Sequence, residues 1–311
     1  MANPRAVTIV VPVYADWPSL KDCLDSLEKF VDITKNKILL VNDCGPEVET
    51  LEKNIKAKIA GRQGWEYYRN PKNLGFVGTC NRAVLELDKS GNDILLLNSD
   101  TEVTDGFLEE MSQVLYLDSK FATVTPRTNN ATLATFPVSA APQHGIGPAE
   151  SFRLFLKVKT KLPRASIVPV GHGYCMLIKR NLVDKYGFFD PVFGKGYGEE
   201  IDFCLRLRKN GYKCLLANHA YVFHLEARSF GQERKKRLIE EGHQIIWQRY
   251  PSYRQTVRDY MNEAVVAESE IIDSATGSTP GRWRKAGKKL IKRNQKLHNL
   301  AQKTAARLRG D

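Results

Sequence analysis

The first hundred residues alternate short apolar segments with stretches of helical periodicity, and this alternation restricts the folds open to the chain. In the stretches that separate these segments, apolar residues recur at three- and four-residue spacing, as Leu20, Leu24 and Leu27 do. Alternating strands and helices predict a parallel sheet with right-handed crossovers and helices on its faces. The predicted fold class is therefore α/β. The four predicted strands are residues 7–14, 37–43, 65–70 and 93–100.

The pattern becomes less regular after residue 126. Residues 127–168 are polar and contain proline, so they are expected to form long loops with one helix at 149–157. Beyond this stretch the periodicity predicts further strands and helices, followed by a segment of linker composition at 274–282. The predicted later strands are 173–180, 213–217 and 220–224, and the predicted later helices are 198–212 and 232–250. We place one main domain at residues 1–255, a helix and linker at 256–280 and a basic tail at 281–311.

The net charge of +12 is concentrated in the basic tail, where residues 281–311 contain eleven Lys or Arg and one acid. Trp283, Leu290 and Leu297 lie near one face of a helix drawn through the tail, which suits contact with anionic lipid. A solvated or partner-binding helix is the open alternative. The rest of the chain is nearly neutral, so a nucleic-acid-binding protein is not expected.

The location of the protein follows from two features of its sequence. No run approaches the roughly 18 apolar residues that a transmembrane helix needs, and the first residues lack the apolar stretch of a secretory signal. We therefore predict a cytoplasmic protein, and the basic tail is compatible with the inner face of the cell membrane.

The fourth predicted strand ends in Asn98, Ser99 and Asp100, with no glycine between them. Ligands of such sheets bind at the carboxyl ends of the strands, where a carboxylate suits a hard divalent cation. Alternatively, Asp100 caps the following turn. His224 ends a later predicted strand and is a candidate partner for Asp100, although a lone histidine is more often structural.

Three acids, Glu199, Glu200 and Asp202, crowd the start of a predicted helix. Negative charge there is favoured by the helix dipole, so the cluster has a purely structural interpretation. Crowded carboxylates also raise one another's pKa, which is how a general base is tuned towards neutral pH. The two interpretations stay open at this point.

Eight segments of the chain, taken in order, form a recognisable set: VTIVVPVY, LLVNDCGPE, NPKNLGFVGTCNRA, LLLNSDTEV, VTPRTNNATLATFP, GYCMLIKR, GEEIDFCLRLRKNGY and YVFHLEARSF. This set resembles family 2 glycosyltransferases of the GT-A fold, in particular a bacterial rhamnosyltransferase-type branch. The resemblance covers residues 6–255 and implies a nucleotide-binding, mostly parallel sheet flanked by helices, with a C-terminal helical extension. Residues 1–126 would form the nucleotide-sugar half, and residues 127–255 the acceptor and catalytic half.

The resemblance implies a donor site for a UDP- or dTDP-sugar, with dTDP-rhamnose preferred, and a Mg²⁺ or Mn²⁺ ion held by Asp100 and His224. The family's usual Asp-x-Asp is Asn98-Ser99-Asp100 here, so Asp100 should be the main ligand from this motif. The implied donor residues are Pro12, Tyr14, Asn42, Asp43, Asn73, Gly75, Phe76, Asn81, Arg82, Asn98 and Ser99.

The acidic helix matches the family's Glu-Asp-x-Asp segment, with Glu200 at the position of the first aspartate. The resemblance implies Glu200 as the catalytic base, with Glu199 and Asp202 as alternatives, and His172 and Gly173 at the acceptor site. The implied reaction is inverting transfer of a sugar to a hydroxyl of a glycan or lipid-linked glycan in cell-surface polysaccharide synthesis. A sugar nucleotidyltransferase, the nearest rival, should carry an N-terminal glycine-rich loop with Arg and Lys, which VPVYADWPS lacks.

Overall fold

The structure, a computed structural model, describes residues 5–138, 146–225 and 232–277, together with residues 281 and 285. The four predicted N-terminal strands are present and pair in parallel in the order β3-β2-β1-β4. The elements of this half are β1 (Val7–Val13), α1 (Trp17–Phe30), β2 (Lys37–Asn42), α2 (Val48–Ile59), β3 (Trp65–Arg69), α3 (Gly75–Asn81), a π-helical segment (Arg82–Leu87) and β4 (Asp93–Leu97).

The second half extends the same sheet with strands of both directions. Strand β8 is antiparallel to β4 and β6, whereas β6 and β9 are parallel. Within the described residues the strands form one mixed sheet in the order β3-β2-β1-β4-β8-β6-β9-β5, with β7 on β9. The added elements are β5 (Thr101–Val103), α4 (Phe107–Leu115), β6 (Phe121–Thr128), α5 (Pro148–Val158), β7 (Ala165–Val168), β8 (Cys175–Ile178), α6 (Arg180–Tyr186), α7 (Glu199–Lys209), β9 (Lys213–His224), α8 (Gln232–Arg249) and α9 (Tyr253–Thr276).

The prediction of two strands at 213–217 and 220–224 is wrong, because β9 is one continuous strand. Its first part pairs with β7 and its last part pairs with β5. A register shift against β6 between Ala217 and Tyr221 accommodates the polar residues that made the pattern look interrupted. Among them, Asn218 is fully buried, and its amide donates to the Pro163 carbonyl and to Ser166 Oγ, both at 2.8 Å.

The core of the N-terminal half explains its apolar strands. Every residue of β4 is buried, and so are Ile38 to Asn42 of β2, because helices cover both faces of the sheet. Strand β4 ends at Leu97, three residues earlier than predicted, since the Asn98 carbonyl accepts the Thr101 N–H across a turn. This turn places Asn98, Ser99 and Asp100 at the carboxyl end of β4.

A second, smaller core holds the C-terminal helix α9 against the rest of the fold. It contains Phe136, Phe155, Val158, Leu162, Tyr221 and Ile272. The guanidinium of Arg127 forms a buried ion pair of 2.7 Å with Glu268 of α9. Helix α9 therefore starts before the predicted boundary at residue 255 and shares this core with residues 127–255.

Two further predictions concern the basic tail and membrane-spanning helices. The predicted basic tail, residues 281–311, lies outside the described residues except for Gly281 and Lys285. Among the helices that the structure does describe, none has an apolar stretch long enough to cross a bilayer.

Candidate functional site

Asp100 and His224 come together at the turn that joins β4 to β5. Thr101 of β5 lies opposite His224 in the antiparallel ladder with β9, and the Leu225 N–H donates to the Asp100 carbonyl at 3.0 Å. This register brings Asp100 Oδ1 within 3.6 Å of His224 Nε2. Both side chains are largely buried, with 14% and 16% of their surface exposed.

The tautomer of His224 is fixed by its second ring nitrogen. Nδ1 lies 2.8 Å from the Asn130 carbonyl, which can only accept, so Nδ1 carries the proton. Nε2 then directs a lone pair towards a carboxylate oxygen, which is favourable only with a cation or a proton between them. A carboxylate and a neutral imidazole so oriented are suitable ligands for a divalent cation.

The ring of His224 is also held by its neighbours. It stacks on Tyr174, with ring centroids 5.1 Å apart, and its backbone N–H donates to Asn129 Oδ1 at 2.9 Å. Among the described residues, no cluster of three or more His, Cys, Asp or Glu is arranged to hold a metal. A cation at Asp100 and His224 would therefore need most of its oxygen ligands from water and from a substrate such as a diphosphate.

The two predicted acceptor residues lie between the Asp100–His224 pair and residues 73–83, the segment predicted to line the sugar-donor site and called the donor segment below. His172 Nε2 accepts the Leu133 N–H at 3.3 Å, so that ring nitrogen is engaged in a structural hydrogen bond. Burial, and next the proximity of the second imidazole, His224, lower the pKa of His172 to about 4, which keeps His172 neutral at physiological pH. Gly173 faces Phe76, because a Cβ atom on Gly173 would lie 3.9 Å from Phe76 Cζ.

The buried carboxylate of Asp43 organises the donor segment that follows β3. It accepts hydrogen bonds from Asn70 Nδ2 at 2.9 Å, from the Leu74 N–H at 2.6 Å and from the Gly75 N–H at 2.9 Å. The Asn73 side chain donates to the Asp43 carbonyl at 3.1 Å. The predicted donor residues Asp43, Asn73 and Gly75 are thus brought together, with Asp43 as the centre that shapes the turn.

The remaining predicted donor residues lie around this turn. The Asn81 side chain exchanges two hydrogen bonds with the Phe189 backbone, and Arg82 donates to Asn70 Oδ1 at 2.5 Å. Pro12 pairs with Val41 in the β1–β2 ladder. The other positions are Tyr14, whose backbone contacts Gly45, Asn42, which donates to the Tyr67 hydroxyl, and Asn98 and Ser99 in the turn after β4.

A glycine-rich segment, residues 194–198, connects the donor segment to the acidic helix, and sequence reasoning missed this contact. Gly75 has a φ of 75°, and a Cβ atom there would lie 2.8 Å from the Lys195 Cα. The Phe76 N–H donates to the Lys195 carbonyl at 3.3 Å. On the other side, a Cβ atom on Gly242 of α8 would lie 1.8 Å from the Tyr197 carbonyl oxygen. The segment is therefore wedged between the donor turn and α8.

Glu199 and Glu200 open helix α7 directly after this segment. Burial and the charge of Glu200 raise the pKa of Glu199 well above its usual value, and burial also raises the pKa of Glu200. A hydrogen bond from Glu199, together with backbone N–H groups at the start of α7, favours the charged form of Glu200. These opposing effects favour a proton on Glu199 over a proton on Glu200. The Oε2 atom of each side chain is buried and has no hydrogen-bond partner among the described residues.

Asp202, the third acid, is fully buried, and strong donors occupy both its oxygens. Oδ2 accepts from Arg206 Nε at 2.8 Å, and Oδ1 accepts from Arg249 Nη1 at 2.9 Å and from the Tyr250 hydroxyl at 3.0 Å. Because donors occupy both oxygens, this carboxylate is poorly placed to accept a proton from a substrate. The geometry favours a positioning role in which Asp202 ties α7 to the end of α8.

Phe76 links the glutamate pair to the acceptor residues. A Cβ atom on Gly196 would lie 3.4 Å from Phe76 Cβ and 4.0 Å from Glu199 Oε2, and Gly173 faces the same phenyl ring. A connected series of contacts therefore runs from the Asp100–His224 pair through residues 172–174 and Phe76 to Glu199. The candidate cation ligands thus lie at one end of this series, and the candidate base lies at the other.

Sequence comparison identifies related proteins. The profile of the family described as Glycosyl transferase family 2 matches residues 8–187. Uncharacterised proteins of Mycobacterium tuberculosis and Mycobacterium bovis are 29% identical over 169 residues, which is 52% of this chain. The chain spans 59% of the length of these relatives.

Structural comparison identifies the fold. GalNAc-T7 with UDP, GalNAc and Mn²⁺ is similar with a TM-score of 0.58 and 16% identity, over 84% of this chain and 55% of that chain. The mannosyltransferase PcManGT from Pyrobaculum calidifontis in complex with GDP-Man and Mn²⁺ has a TM-score of 0.56 and 14% identity, over 94% and 79% of the two chains. The predicted GT-A fold is confirmed, with its curled sheet flanked by helices.

Proposed function

Because the chain belongs to glycosyl transferase family 2, we propose that it transfers a sugar from a nucleoside diphosphate donor to a hydroxyl group, with a divalent cation. The observation that carries this proposal is the 3.6 Å approach of His224 Nε2 to Asp100 Oδ1, with the imidazole lone pair directed at the carboxylate. The similarity to solved glycosyltransferase structures that contain Mn²⁺ supports it.

The proposed chemistry is a single displacement that inverts the anomeric carbon. The acceptor oxygen forms a bond to the anomeric carbon while the bond from that carbon to the diphosphate oxygen breaks, and the acceptor proton moves to Glu200. A Mg²⁺ or Mn²⁺ ion held by Asp100 and His224 would neutralise charge on the leaving diphosphate, which increases in the transition state. Glu199 donates its hydrogen bond to Glu200 and so keeps the base ionised and oriented.

For the donor, we propose a UDP- or dTDP-sugar bound along the turn that Asp43 shapes. Asn73 and Gly75 are fixed by Asp43, and the half-buried Asn98 and Ser99 border the cation site, so these residues converge on the carboxyl ends of β2 and β4. The resemblance of the motifs to the rhamnosyltransferase-type branch makes dTDP-rhamnose the first donor to test.

For the acceptor, we propose a glycan or lipid-linked glycan, bound beside His172 and Gly173, in cell-surface polysaccharide synthesis. Contact of the basic tail with an anionic membrane surface is part of this proposal. It is supported by the eleven cations and the apolar residues of residues 281–311, since each cation near such a surface contributes about 1 kcal/mol. The protein would then work in the cytoplasm, at the inner face of the membrane.

The donor and cation are tested by thermal unfolding against a panel of nucleotide sugars, each with and without Mn²⁺. A bound ligand at about 100 times its Kd stabilises the native state by about 2.7 kcal/mol. We expect stabilisation by a UDP- or dTDP-sugar that requires Mn²⁺ in the parent protein and disappears in Asp100→Asn. Stabilisation that is independent of Mn²⁺, or unchanged in Asp100→Asn, would contradict the proposed cation site.

The base is tested by a matched pair of substitutions on adjacent residues. Glu200→Gln should lower kcat about 10²- to 10⁴-fold, the usual contribution of a general base. Glu199→Gln should change kcat only a few-fold, because an amide N–H replaces the proton that Glu199 donates. NMR of the first-formed product should show the inverted anomer. Equal losses in both variants would point away from Glu200 as the sole base.

A further inference from the structure

An open groove lies apart from the proposed active site, between α1, the β5–β9 ladder and α5. Its volume is about 470 Å³. Aromatic rings of Phe30, Phe152 and Phe223 form its apolar walls. Glu102 and Phe223 are directly opposed in the β5–β9 ladder, and the adjacent pair, Thr101 and His224, faces the other side of the sheet by the alternation of strand side chains. The groove and the cation-binding pair therefore occupy opposite faces of the same two strands.

The groove is acidic as well as aromatic. Asp22, Asp25, Glu102 and Asp105 line it, with Lys29 as the single cation in its lining. Asp25 is neutralised by Lys58 and by Lys21, but no ion pair is observed for Glu102 among the described residues. Glu102 and Asp22 both line the groove, so a cation placed there would be attracted by their negative charges.

The basic tail follows α9, a helix that packs against α5 near this groove. Ile272, in the last turns of α9, belongs to the same apolar cluster as the two groove residues Phe152 and Phe223. The Gly281 N–H donates to Asp273 Oδ2 at 2.9 Å, so Gly281 lies beside the last turns of α9. Thirty residues follow Gly281, so even as a helix with a rise of about 1.5 Å per residue they would extend about 45 Å, more than enough to reach the groove.

We propose that residues 282–311 of the same chain dock in the acidic groove. These residues contain all eleven cations of the basic tail, and Trp283, Leu290 and Leu297 offer apolar side chains to the aromatic walls. Tethering at Gly281 makes the contact intramolecular, which raises the effective concentration of the tail to about the millimolar range. Individually weak exposed ion pairs are then sufficient to hold it. The docked position and the lipid contact proposed above are alternative positions of one segment.

The direct test is carbodiimide cross-linking of the full-length protein, which joins a carboxylate to an amine only when they are in contact. Cross-linked peptides between tail lysines and Asp22, Glu102 or Asp105 are expected at about 0.1 M salt. They should be lost at about 1 M salt, where the Debye length falls from about 10 Å to about 3 Å. An equal mixture of ¹⁵N-labelled and unlabelled protein distinguishes docking within a chain from docking between chains.

A matched pair of charge variants tests the groove itself. Asp22→Asn with Glu102→Gln removes two groove charges, and Glu240→Gln with Glu263→Gln removes two exposed charges from α8 and α9. The groove variant should be cleaved by trypsin within the tail about 2- to 30-fold faster than the parent, the factor that corresponds to two exposed ion pairs. The α8–α9 variant should match the parent.

Three results would overturn the docking proposal. The first is an absence of groove-to-tail cross-links at low salt. The second is a set of cross-links that join labelled to unlabelled chains, which would make a second copy the occupant. The third is equal tail cleavage in the two charge variants. None of these readouts depends on glycosyl transfer, so they leave the proposed function untouched.

Discussion

Replacing Asp202 by asparagine should destabilise the fold rather than remove a chemical group. The substitution preserves the shape of the side chain but deletes the charge that Arg206 and Arg249 share at 2.8 and 2.9 Å. It also presents an amide N–H₂ to donors that need an acceptor. The sequence cluster alone left Asp202 as a candidate base, so this variant separates a positioning role from a catalytic one.

The magnitude follows from the exposure of the partners. Breaking a fully buried ion pair costs about 3–5 kcal/mol. Here Asp202 is 1% exposed at its side chain, but Arg206 and Arg249 are 27% and 37% exposed and can be hydrated. Arg249 also retains Asp190 at 2.9 Å. We therefore expect Asp202→Asn to lower the free energy of unfolding by about 2–3 kcal/mol, below the fully buried value.

Urea unfolding followed by far-UV circular dichroism measures this loss, and turnover is measured at low temperature per folded molecule. Glu200→Gln is the control on the same helix. Because burial raises the pKa of Glu200, its negative charge costs stability at pH 7, so replacing it with a neutral amide should not lower stability.

We expect the two variants to have opposite effects. Asp202→Asn should lose stability but keep its turnover within about tenfold of the parent, whereas Glu200→Gln should keep its stability but lose turnover by at least about 10²-fold. The reasoning is refuted if the free energies of unfolding of Asp202→Asn and the parent protein differ by less than about 0.5 kcal/mol, the range typical of neutral surface substitutions. A loss of turnover in folded Asp202→Asn as large as that of Glu200→Gln would assign Asp202 to the chemistry.

Three further outcomes are expected. Gly75→Ala should lower the free energy of unfolding by about 1–3 kcal/mol more than Gly91→Ala, as measured by thermal unfolding. Both glycines have a positive φ, but of the two only Gly75 has a neighbouring backbone within contact distance. Equal losses would contradict the close packing of Gly75 against residues 194–198. Glu268→Gln should cost about 3–5 kcal/mol in chemical unfolding by leaving Arg127 buried without its partner, and a change under about 1 kcal/mol would show that α9 is not anchored there. To act as a base, Glu200 must be ionised, and burial raises its pKa. The value of kcat/KM should therefore fall as the pH is lowered, with a midpoint above 4.5, the ordinary pKa of a glutamate carboxyl, and a midpoint at or below 4.5 would contradict the assignment.

The N-terminal half was predictable because its strands and helices have clear local periodicity. Buried strands such as β4 are continuous apolar runs, and α1 carries its apolar residues at helical spacing. The carboxyl ends of parallel strands lie at one edge of the sheet, so Asp100 was predicted near a ligand site from its place in the chain alone. Beyond residue 126 this signal weakens, because β7 is only four residues long and too short to show a period.

The details that decide the chemistry could not be read from the sequence, since they depend on contacts between distant residues. The tautomer of His224 is fixed by a carbonyl 94 positions away, at Asn130. Asp202 looks like its acidic neighbours until Arg249, 47 positions later, is found on its carboxylate. Local patterns place such residues on elements, whereas only the packed fold shows which partner satisfies each polar group.

The most direct test of the central claim is electron spin echo spectroscopy of the full-length protein with Mn²⁺ and UDP. The account predicts a ¹⁴N coupling from a directly bound imidazole in the parent protein. The coupling should persist in His172→Gln and vanish in His224→Ala. A coupling that survives in His224→Ala, or is absent from the parent with Mn²⁺ bound, would show that Asp100 and His224 do not share a cation.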